Sequence, residues 1–294
     1  MDSKATNAWR ITRKTTASAP APGFAGPGHT AIEVFRSDRF DLTNPFVLMM
    51  DDTLEFHPGQ PVGEAHPHAG LETVTLILEG SLDDAAEGHL HAGDLAWMTA
   101  GRGIVHNEEV VATGRARILQ LWVALPQHDR NGDPDLQLVS LQTTPIRREP
   151  GAEVRLYSGK TGELSSPTTT RVPMTVVDML LQPNASVRQG IPARQRGFVY
   201  VTGGRIRMGD VQLMAGDVGW GESDESGASS VTVAAGSEGA RAMIYTGQPL
   251  GESVIQHGPF VGTNRAELAH FYQEFHAGKF ARIRDIESLK PTMA

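Results

Sequence analysis

The chain has 294 residues, no cysteine, and 26 Lys and Arg against 34 Asp and Glu, for a formal net charge of −8. The negative charge disfavours binding to nucleic-acid backbones, which needs basic patches, and the lack of cysteine excludes disulfides, thiolate metal sites and cysteine nucleophiles. The polar N-terminus and the lack of an apolar run of about 18 residues predict a cytoplasmic protein without a signal peptide or membrane span.

Short strand-like runs recur along the chain, separated by turns. The first set covers residues 31–35, 46–50, 73–78, 95–98 and 118–124. The second set covers residues 154–157, 174–181, 197–201, 205–208, 231–235 and 242–245. With 32 Gly and 18 Pro spread along the sequence, this pattern predicts an all-β protein built as a sandwich or barrel.

One helix is predicted near the C-terminus. Asn264 with Glu267 three residues later forms a capping box, and Gly278 marks the end of the helix. The apolar residues at helical spacing are Leu268, Phe271, Tyr272 and Phe275.

The sequence also contains an internal repeat. Residues 76–80 resemble 199–203 and residues 92–97 resemble 215–220, both at an offset of 123. We therefore predict two copies of one β-domain. The predicted boundaries are 1–29 for an N-terminal segment, 30–130 for a metal-binding copy, 131–262 for a metal-free copy and 263–294 for the C-terminal helix and tail.

The candidate metal-binding residues lie in the first copy, in the triplets His66-Pro67-His68 and His106-Asn107-Glu108. Residues i and i+2 of a strand point to one face, so each triplet presents two metal ligands to the same side. Neighbouring strands would bring three imidazoles and one carboxylate together inside a barrel. Such a donor set suits a divalent transition metal with up to two open positions.

The second copy lacks these ligands. At the offset of 123, the four positions become Gln189, Ile191, Ser229 and Val231. We therefore expect one metal per chain, bound by the first copy, and a second copy that is structural or serves as a lid and docking surface.

Residues 66–75, 78–80, 93–94, 97–106, 247–252 and 258–261 together resemble the pirin family of bicupins. The resemblance implies two tandem cupin (jelly-roll) β-barrels with a C-terminal helix, and metal ligands at His66, His68, His106 and Glu108. The chain departs from the family pattern at Ala69, where Arg is usual, at Asn107, where Ser is usual, and in a shorter hairpin over 81–90. The first and last departures bear on access to the site.

The same resemblance extends to bacterial pirin-type quercetinases. It implies a metal-dependent dioxygenase that cleaves the heterocyclic ring of a flavonol with O2 and releases carbon monoxide and a depside. The partners would be a small planar aromatic substrate and O2, and Glu108 would act as general base. Fe(II) is the first choice of metal, with Ni, Co, Mn, Cu and Zn as alternatives.

A second hypothesis belongs to another functional class. Some pirins are iron-bound co-regulators of transcription factors, so the alternative is a metal-bound, non-enzymatic protein that binds a protein partner. The net charge of −8 is compatible with a protein partner and disfavours direct contact with DNA.

Other conspicuous residues receive simpler interpretations. Glu72 shares the predicted inward parity, so it either hydrogen-bonds a ligand histidine from behind or replaces Glu108 as a ligand. His89 and His91 adjoin a turn and are expected on a solvated hairpin. Trp97 and Trp220 are equivalent in the repeat, which favours core packing.

Overall fold

The computed structural model describes residues 9–56, 65–84, 88–106, 114–222 and 227–286. These residues divide into two compact units. The first unit combines the described residues up to Ala17 with Thr143–Pro249, and the second combines Ser18–Gln142 with the described residues from Leu250 onward. Each unit thus consists of two stretches of chain that are far apart in sequence. The domain boundaries predicted from the repeat, by contrast, are continuous stretches of sequence, and they stay a prediction.

The all-β prediction is confirmed, since most of the regular structure is strand. The strands of the first half are β1 (Arg10–Thr16), β2 (Ala21–Pro22), β3 (His29–Arg36), β4 (Phe46–Phe56), β5 (His66–His68), β6 (Leu71–Glu79), β7 (Ser81–Asp84), β8 (Gly88–His91), β9 (Leu95–Thr99), β10 (Ile104–His106), β11 (Gly114–Ala124) and β12 (Asp135–Val139).

The strands of the second half are β13 (Ile146–Glu149), β14 (Ala152–Ser158), β15 (Lys160–Thr161), β16 (Leu164–Ser165), β17 (Met174–Leu181), β18 (Ser186–Ile191), β19 (Arg196–Met208), β20 (Val211–Met214), β21 (Asp217–Glu222), β22 (Ser229–Gly247), β23 (Ile255–His257), β24 (Phe260–Gly262) and β25 (Ala281–Arg282). The helical elements are α1 (Phe40–Thr43), α2 (Arg265–His276) and a 3-10 turn at Ile283–Asp285. No helix in the described part of the chain is long and apolar enough to cross a membrane.

The second unit is built on a seven-stranded antiparallel sheet in the order β12-β9-β6-β11-β4-β3-β2. A smaller sheet in the order β25-β10-β5 adds the strands that carry the predicted histidine ligands. Apolar residues of both sheets form a common core that includes Leu71, Ile77, Met98 and Ile104. The histidine strands are therefore anchored in the main core of this unit.

The first unit repeats this arrangement. Its largest sheet has the order β1-β21-β19-β22-β17-β14-β13, with β18 paired to β22 and β20 paired to β19. The stretch β21-β19-β22-β17-β14 matches β9-β6-β11-β4-β3 of the second unit in order and in antiparallel pairing. Two units with the same strand order are what the sequence repeat predicts.

The N-terminal strand β1 completes the sheet of the first unit. It pairs with β21, as β12 pairs with β9 in the second unit. Lys14 Nζ lies 2.7 Å from a carboxylate oxygen of Asp217. Burial raises the pKa of Asp217, but hydrogen bonds from Lys14, the Met214 N–H and the Thr16 hydroxyl outweigh it, so the pKa lies below its ordinary value.

The predicted C-terminal helix is confirmed as α2. Asn264 caps it by accepting hydrogen bonds from the N–H groups of Ala266 and Glu267, each at 3.0 Å. The predicted stripe supplies Leu268 and Phe271, which are buried against Phe260 and Ala69 of the second unit. The helix therefore packs within the unit that carries the histidines.

Candidate metal centre

The two histidine strands form one antiparallel ribbon. In β5 and β10, His106 lies directly opposite His66, and Ile104 lies opposite His68. Directly opposed residues share a face, and so do residues two apart on one strand. The three imidazoles therefore project from the same side, as the spacing of the two triplets predicts.

The C-terminal part of the chain holds this ribbon in place. Strand β25 pairs with β10, and the Val261 N–H donates to the Ala69 carbonyl at 3.0 Å. Gly70 has a φ of +75°, and a Cβ added there would lie 1.9 Å from the Val261 carbonyl oxygen. Only glycine fits such a close approach in a left-handed conformation.

Ala69, one of the departures from the family pattern, is part of the apolar support. Its side chain is fully buried in a cluster with Phe260, Phe271 and Phe280. A long cationic side chain at this position would have to be accommodated within that cluster at a high desolvation cost. Alanine here is thus explained by the aromatic residues that pack beneath the ribbon.

The three histidines converge closely enough to share a metal ion. One ring nitrogen from each of His66, His68 and His106 lies within 4.8 Å of the others. The Nε2 atoms of His66 and His106 are 3.0 Å apart. Nitrogens bound to a metal at about 2.0–2.1 Å and at right angles would also be about 3 Å apart. The residues present therefore fit a divalent transition metal.

The environment of His68 favours the ligand form of imidazole. Burial, followed by the neighbouring His106 and His66, lowers the pKa of His68 well below its ordinary value, while the backbone carbonyl of Pro259 acts in the opposite direction. A metal binds the neutral ring.

The histidines open into a largely apolar cavity inside the second unit. The space available to the centres of water molecules is about 130 Å³, so the cavity is large enough to hold a small molecule as well as water. The Trp122 ring meets His68 edge-on at 5.0 Å, and the Phe24 ring meets His66 at 5.8 Å. The main apolar lining residues are Leu48, Met50, Leu54, Leu90, Met98 and Ile118.

The parity expected for Glu72 is wrong. On β6 the cavity is lined by Thr73 and Thr75, so Glu72 lies on the opposite face, where it accepts a hydrogen bond from the Thr99 hydroxyl at 2.9 Å. The turn at Gly70 separates β5 from β6, so the alternation of one strand does not continue into the next. Glu72 is not part of the histidine cluster, and its role behind a ligand stays a prediction.

The other residues singled out in the sequence lie partly inside and partly outside the described part of the chain. Glu108 and Asn107 lie outside the described residues, so the role of Glu108 as ligand and base stays a prediction. His89 is confirmed on a solvated hairpin, with its side chain 77% exposed and bonded to Asp83 at 2.7 Å. Trp97 is fully buried, as core packing predicts.

The equivalent positions of the first unit are occupied by packing residues. Gln189 is fully buried, and its amide donates to the Thr161 hydroxyl at 2.9 Å and to the Gly190 carbonyl at 2.8 Å. Ile191 lies opposite Ser229 on the neighbouring strand. That this unit binds no metal stays a prediction.

Sequence reasoning overlooked two polar residues of the cavity, His29 and Asp52. Both are buried and both line the cavity together with the three histidines. The sequence does contain a signal for Asp52. The residues at every second position of β4 share one face, and they are Leu48, Met50, Asp52 and Leu54. An acidic residue on the apolar face of a strand is unusual enough to indicate a functional site.

Two known family models match the chain, one in each half of the sequence. The family model described as Pirin matches residues 29–123, and the model described as Pirin C-terminal cupin domain matches residues 176–281. Pirin-like protein 2 of Arabidopsis thaliana is 35% identical over 253 residues, covering 81% of this chain and 76% of that protein. Human pirin is 34% identical over 248 residues, covering 80% of this chain and 82% of that protein.

A solved structure gives a comparable match over almost the whole length. A quercetin 2,3-dioxygenase from Acinetobacter baumannii superimposes with a TM-score of 0.80 and 27% identity, covering 94% of this chain and 99% of that one. The fold is therefore that of a bicupin, as the sequence resemblance implies. With both family models matched and relatives above 30% identity over four fifths of its length, the chain belongs to the pirin family.

Proposed function

We propose that this protein is a metal-dependent dioxygenase that opens the heterocyclic ring of a flavonol with O2. The observation that carries the proposal is the convergence of three histidines at a cavity whose other walls are mostly apolar. The similarity to a quercetin 2,3-dioxygenase at 27% identity over nearly both full chains supports it. Cavities with apolar walls and a few convergent polar groups are typical of sites for small organic ligands.

His66, His68, His106 and Glu108 are the proposed metal ligands, with Fe(II) as the first choice of ion. Glu108 is included because it follows His106 by two residues, the spacing that places side chains on one face of a strand. Three nitrogens and one carboxylate oxygen suit a divalent transition metal with open positions. When bound, the metal would lower the pKa of a coordinated substrate hydroxyl and polarise the neighbouring carbonyl.

The protein's own groups would bind the substrate and move its proton. The apolar walls, including Leu48, Met98 and Ile118, bind a planar aromatic molecule and exclude water from it. The carboxylate of Glu108 takes the proton of the substrate hydroxyl as general base, a role usually worth about 10²–10⁴-fold in rate. His68, held neutral by its burial, stays a ligand throughout.

An anaerobic binding experiment followed by O2 tests this proposal. Metal-loaded protein is mixed with a flavonol without O2, and the absorption band of the flavonol is followed after O2 is admitted. We expect the band to disappear over many turnovers with release of carbon monoxide. His106→Ala should abolish the decay, whereas His89→Ala, at an exposed histidine of the β7–β8 hairpin, should leave it intact.

Two outcomes would count against the proposal. Flavonol that binds but is not consumed after O2 is admitted would exclude the dioxygenase and leave the non-enzymatic co-regulator as the better hypothesis. Equal rates for the native chain and His106→Ala would show that the histidine cluster takes no part in the reaction.

A further inference from the structure

A second polar pair lies in the same cavity as the three histidines. His29 begins β3 and Asp52 lies on β4, and their side chains are 3% and 8% exposed. His29 Nε2 and Asp52 Oδ1 are 3.4 Å apart, yet they do not form a hydrogen bond, and each atom is buried without a hydrogen-bond partner. Both residues line the cavity.

The backbone fixes which nitrogen of His29 carries the proton. The Ala25 N–H donates a hydrogen bond to Nδ1 of His29 at 3.0 Å. A nitrogen that accepts a hydrogen bond is unprotonated, so in this arrangement the ring proton is on Nε2. The cavity wall therefore presents a free N–H donor beside a free carboxylate acceptor.

Such a pair is costly in a wall that is mostly apolar. The neighbours of Asp52 on the cavity face of β4 are Met50 and Leu54, and the residue opposite it on β11 is Ile118. In contrast, the adjacent Asp51 is fully paired, accepting two hydrogen bonds from Arg117 at 2.8 and 2.7 Å. Buried polar atoms without partners destabilise a protein, and their presence calls for a ligand that satisfies them.

The pair lies within reach of the metal centre. The exposed ring of Phe24 meets His29 edge-on at 5.5 Å and His66 edge-on at 5.8 Å. These two distances limit the separation of the two histidine rings to about 11 Å. An aromatic ligand of two or three rings can therefore contact the metal centre with one end and His29 and Asp52 with another part of its rim.

We propose that His29 and Asp52 form a subsite that binds a remote hydroxyl group of a polyhydroxylated aromatic substrate. A hydroxyl is both donor and acceptor, so it can accept from Nε2–H of His29 and donate to Oδ1 of Asp52. The assignment rests on the proposed function, because it requires the other end of the same molecule to bind at the three histidines. It makes the position of the second hydroxyl a determinant of substrate choice.

Binding of matched ligands tests the subsite without turnover. The probes are 3-hydroxyflavone and a series in which one further hydroxyl is added at a different position each time, titrated into metal-loaded protein without O2. We expect one added hydroxyl to improve affinity over 3-hydroxyflavone by about ten-fold or more, the usual effect of hydrogen bonds to a charged group. Asp52→Leu and His29→Gln should each remove most of that preference.

The control is Met50→Leu, which changes the same cavity face without touching the pair. It should change the affinities for 3-hydroxyflavone and for the best-binding hydroxylated flavone by the same factor, so that their ratio is preserved. Metal content per chain and thermal unfolding of each variant show whether the protein is folded and the histidine cluster intact. A merely structural role of Asp52 would weaken all ligands alike, so the ratio isolates the recognition of the hydroxyl.

Several results would overturn the subsite. One is that Asp52→Leu and His29→Gln are both folded and keep the native ratio of affinities for the hydroxylated flavone and 3-hydroxyflavone. Another is that no member of the hydroxylated series binds the native protein more tightly than 3-hydroxyflavone does. Failure of the proposed function looks different, because the ratios would then behave as expected while bound flavonol survives the admission of O2. A protein that binds no member of the series contradicts both.

Discussion

Replacing Arg130 with methionine tests whether the C-terminal part of the chain supports the metal centre. The Arg130 side chain is fully buried and joins the segment after β11 to Glu252 and to the start of α2. Its guanidinium donates to the Leu125 carbonyl at 2.9 Å and to Glu252 at 2.7 Å, and it also bonds to the Thr263 hydroxyl. Glu267 of α2 is a further partner at 3.4 Å.

The expected loss follows from what Arg130→Met leaves behind. Two carboxylates, Glu252 and Glu267, are each only 20–23% exposed and would lose their cationic partner. Removing one side of a buried ion pair typically costs about 3–5 kcal/mol. Arg130→Lys should restore little of this, since an ammonium cannot reproduce the fork of donors that a guanidinium presents.

The consequence should extend to the metal ligands. The Leu125 N–H donates to the Gly70 carbonyl at 3.0 Å, and α2 packs against Ala69, so both ends of the Arg130 network contact the segment that follows His68. We therefore expect Arg130→Met to lower metal retention as well as the free energy of unfolding.

Urea unfolding of the metal-loaded protein, with metal content measured after dialysis, is the assay. The matched control is Arg102→Met, because Arg102 and its partner Asp133 are 61% and 77% exposed and form a surface pair. Such pairs contribute about 0–1 kcal/mol. If Arg130→Met shifts the unfolding midpoint no more than Arg102→Met does, the claim that the buried Arg130 ion pairs stabilise this unit is refuted.

Three further predictions follow from the site and the fold. Glu108→Gln should retain some metal but lose about 10²–10⁴-fold in turnover, whereas Glu72→Gln should cost only about 10–100-fold in metal affinity or activity; the reverse order in steady-state kinetics and metal analysis would transfer the ligand role to Glu72. Asp52→Leu should raise the unfolding free energy of the ligand-free protein by about 1 kcal/mol or more, because it removes a buried unpaired oxygen, and a lower melting temperature would show that Asp52 stabilises the fold. Asp217, whose folded pKa is lowered, contributes stability above the pKa of the unfolded chain and loses it as pH falls through the folded pKa. Asp217→Asn should therefore be less stable than the native chain at neutral pH, and the difference should shrink as the pH falls below about 4, the ordinary pKa of the unfolded chain, and vanish only below the folded pKa; a difference that does not shrink in acid denaturation curves would contradict this.

The histidine site was predictable because it depends on local periodicity. Two ligands separated by one residue on a strand must share a face, and His66 and His106 indeed lie opposite each other in one ribbon. The capped helix α2 was predictable for the same reason, since a capping box is formed by residues close together in sequence. The duplicated strand order was predictable because two segments of the sequence recur at one constant offset.

The supports of the site were not predictable in this way. The contact of Val261 with Ala69 joins residues almost two hundred positions apart, and no local pattern specifies such a pairing. The same holds for β1, which joins a sheet formed by the second half of the chain. The parity of Glu72 was misjudged because a positive φ at Gly70 interrupts the strand, and a single glycine in a sequence does not reveal that it does so.

Metal content per chain is the most direct test of the central claim that His66, His68 and His106 form one metal centre. We predict one divalent transition metal per chain in tag-free protein purified from its native host and measured by elemental analysis. His106→Ala should lose most of it, and His89→Ala should keep all of it. Two metals per chain, or a full complement in His106→Ala, would contradict the account.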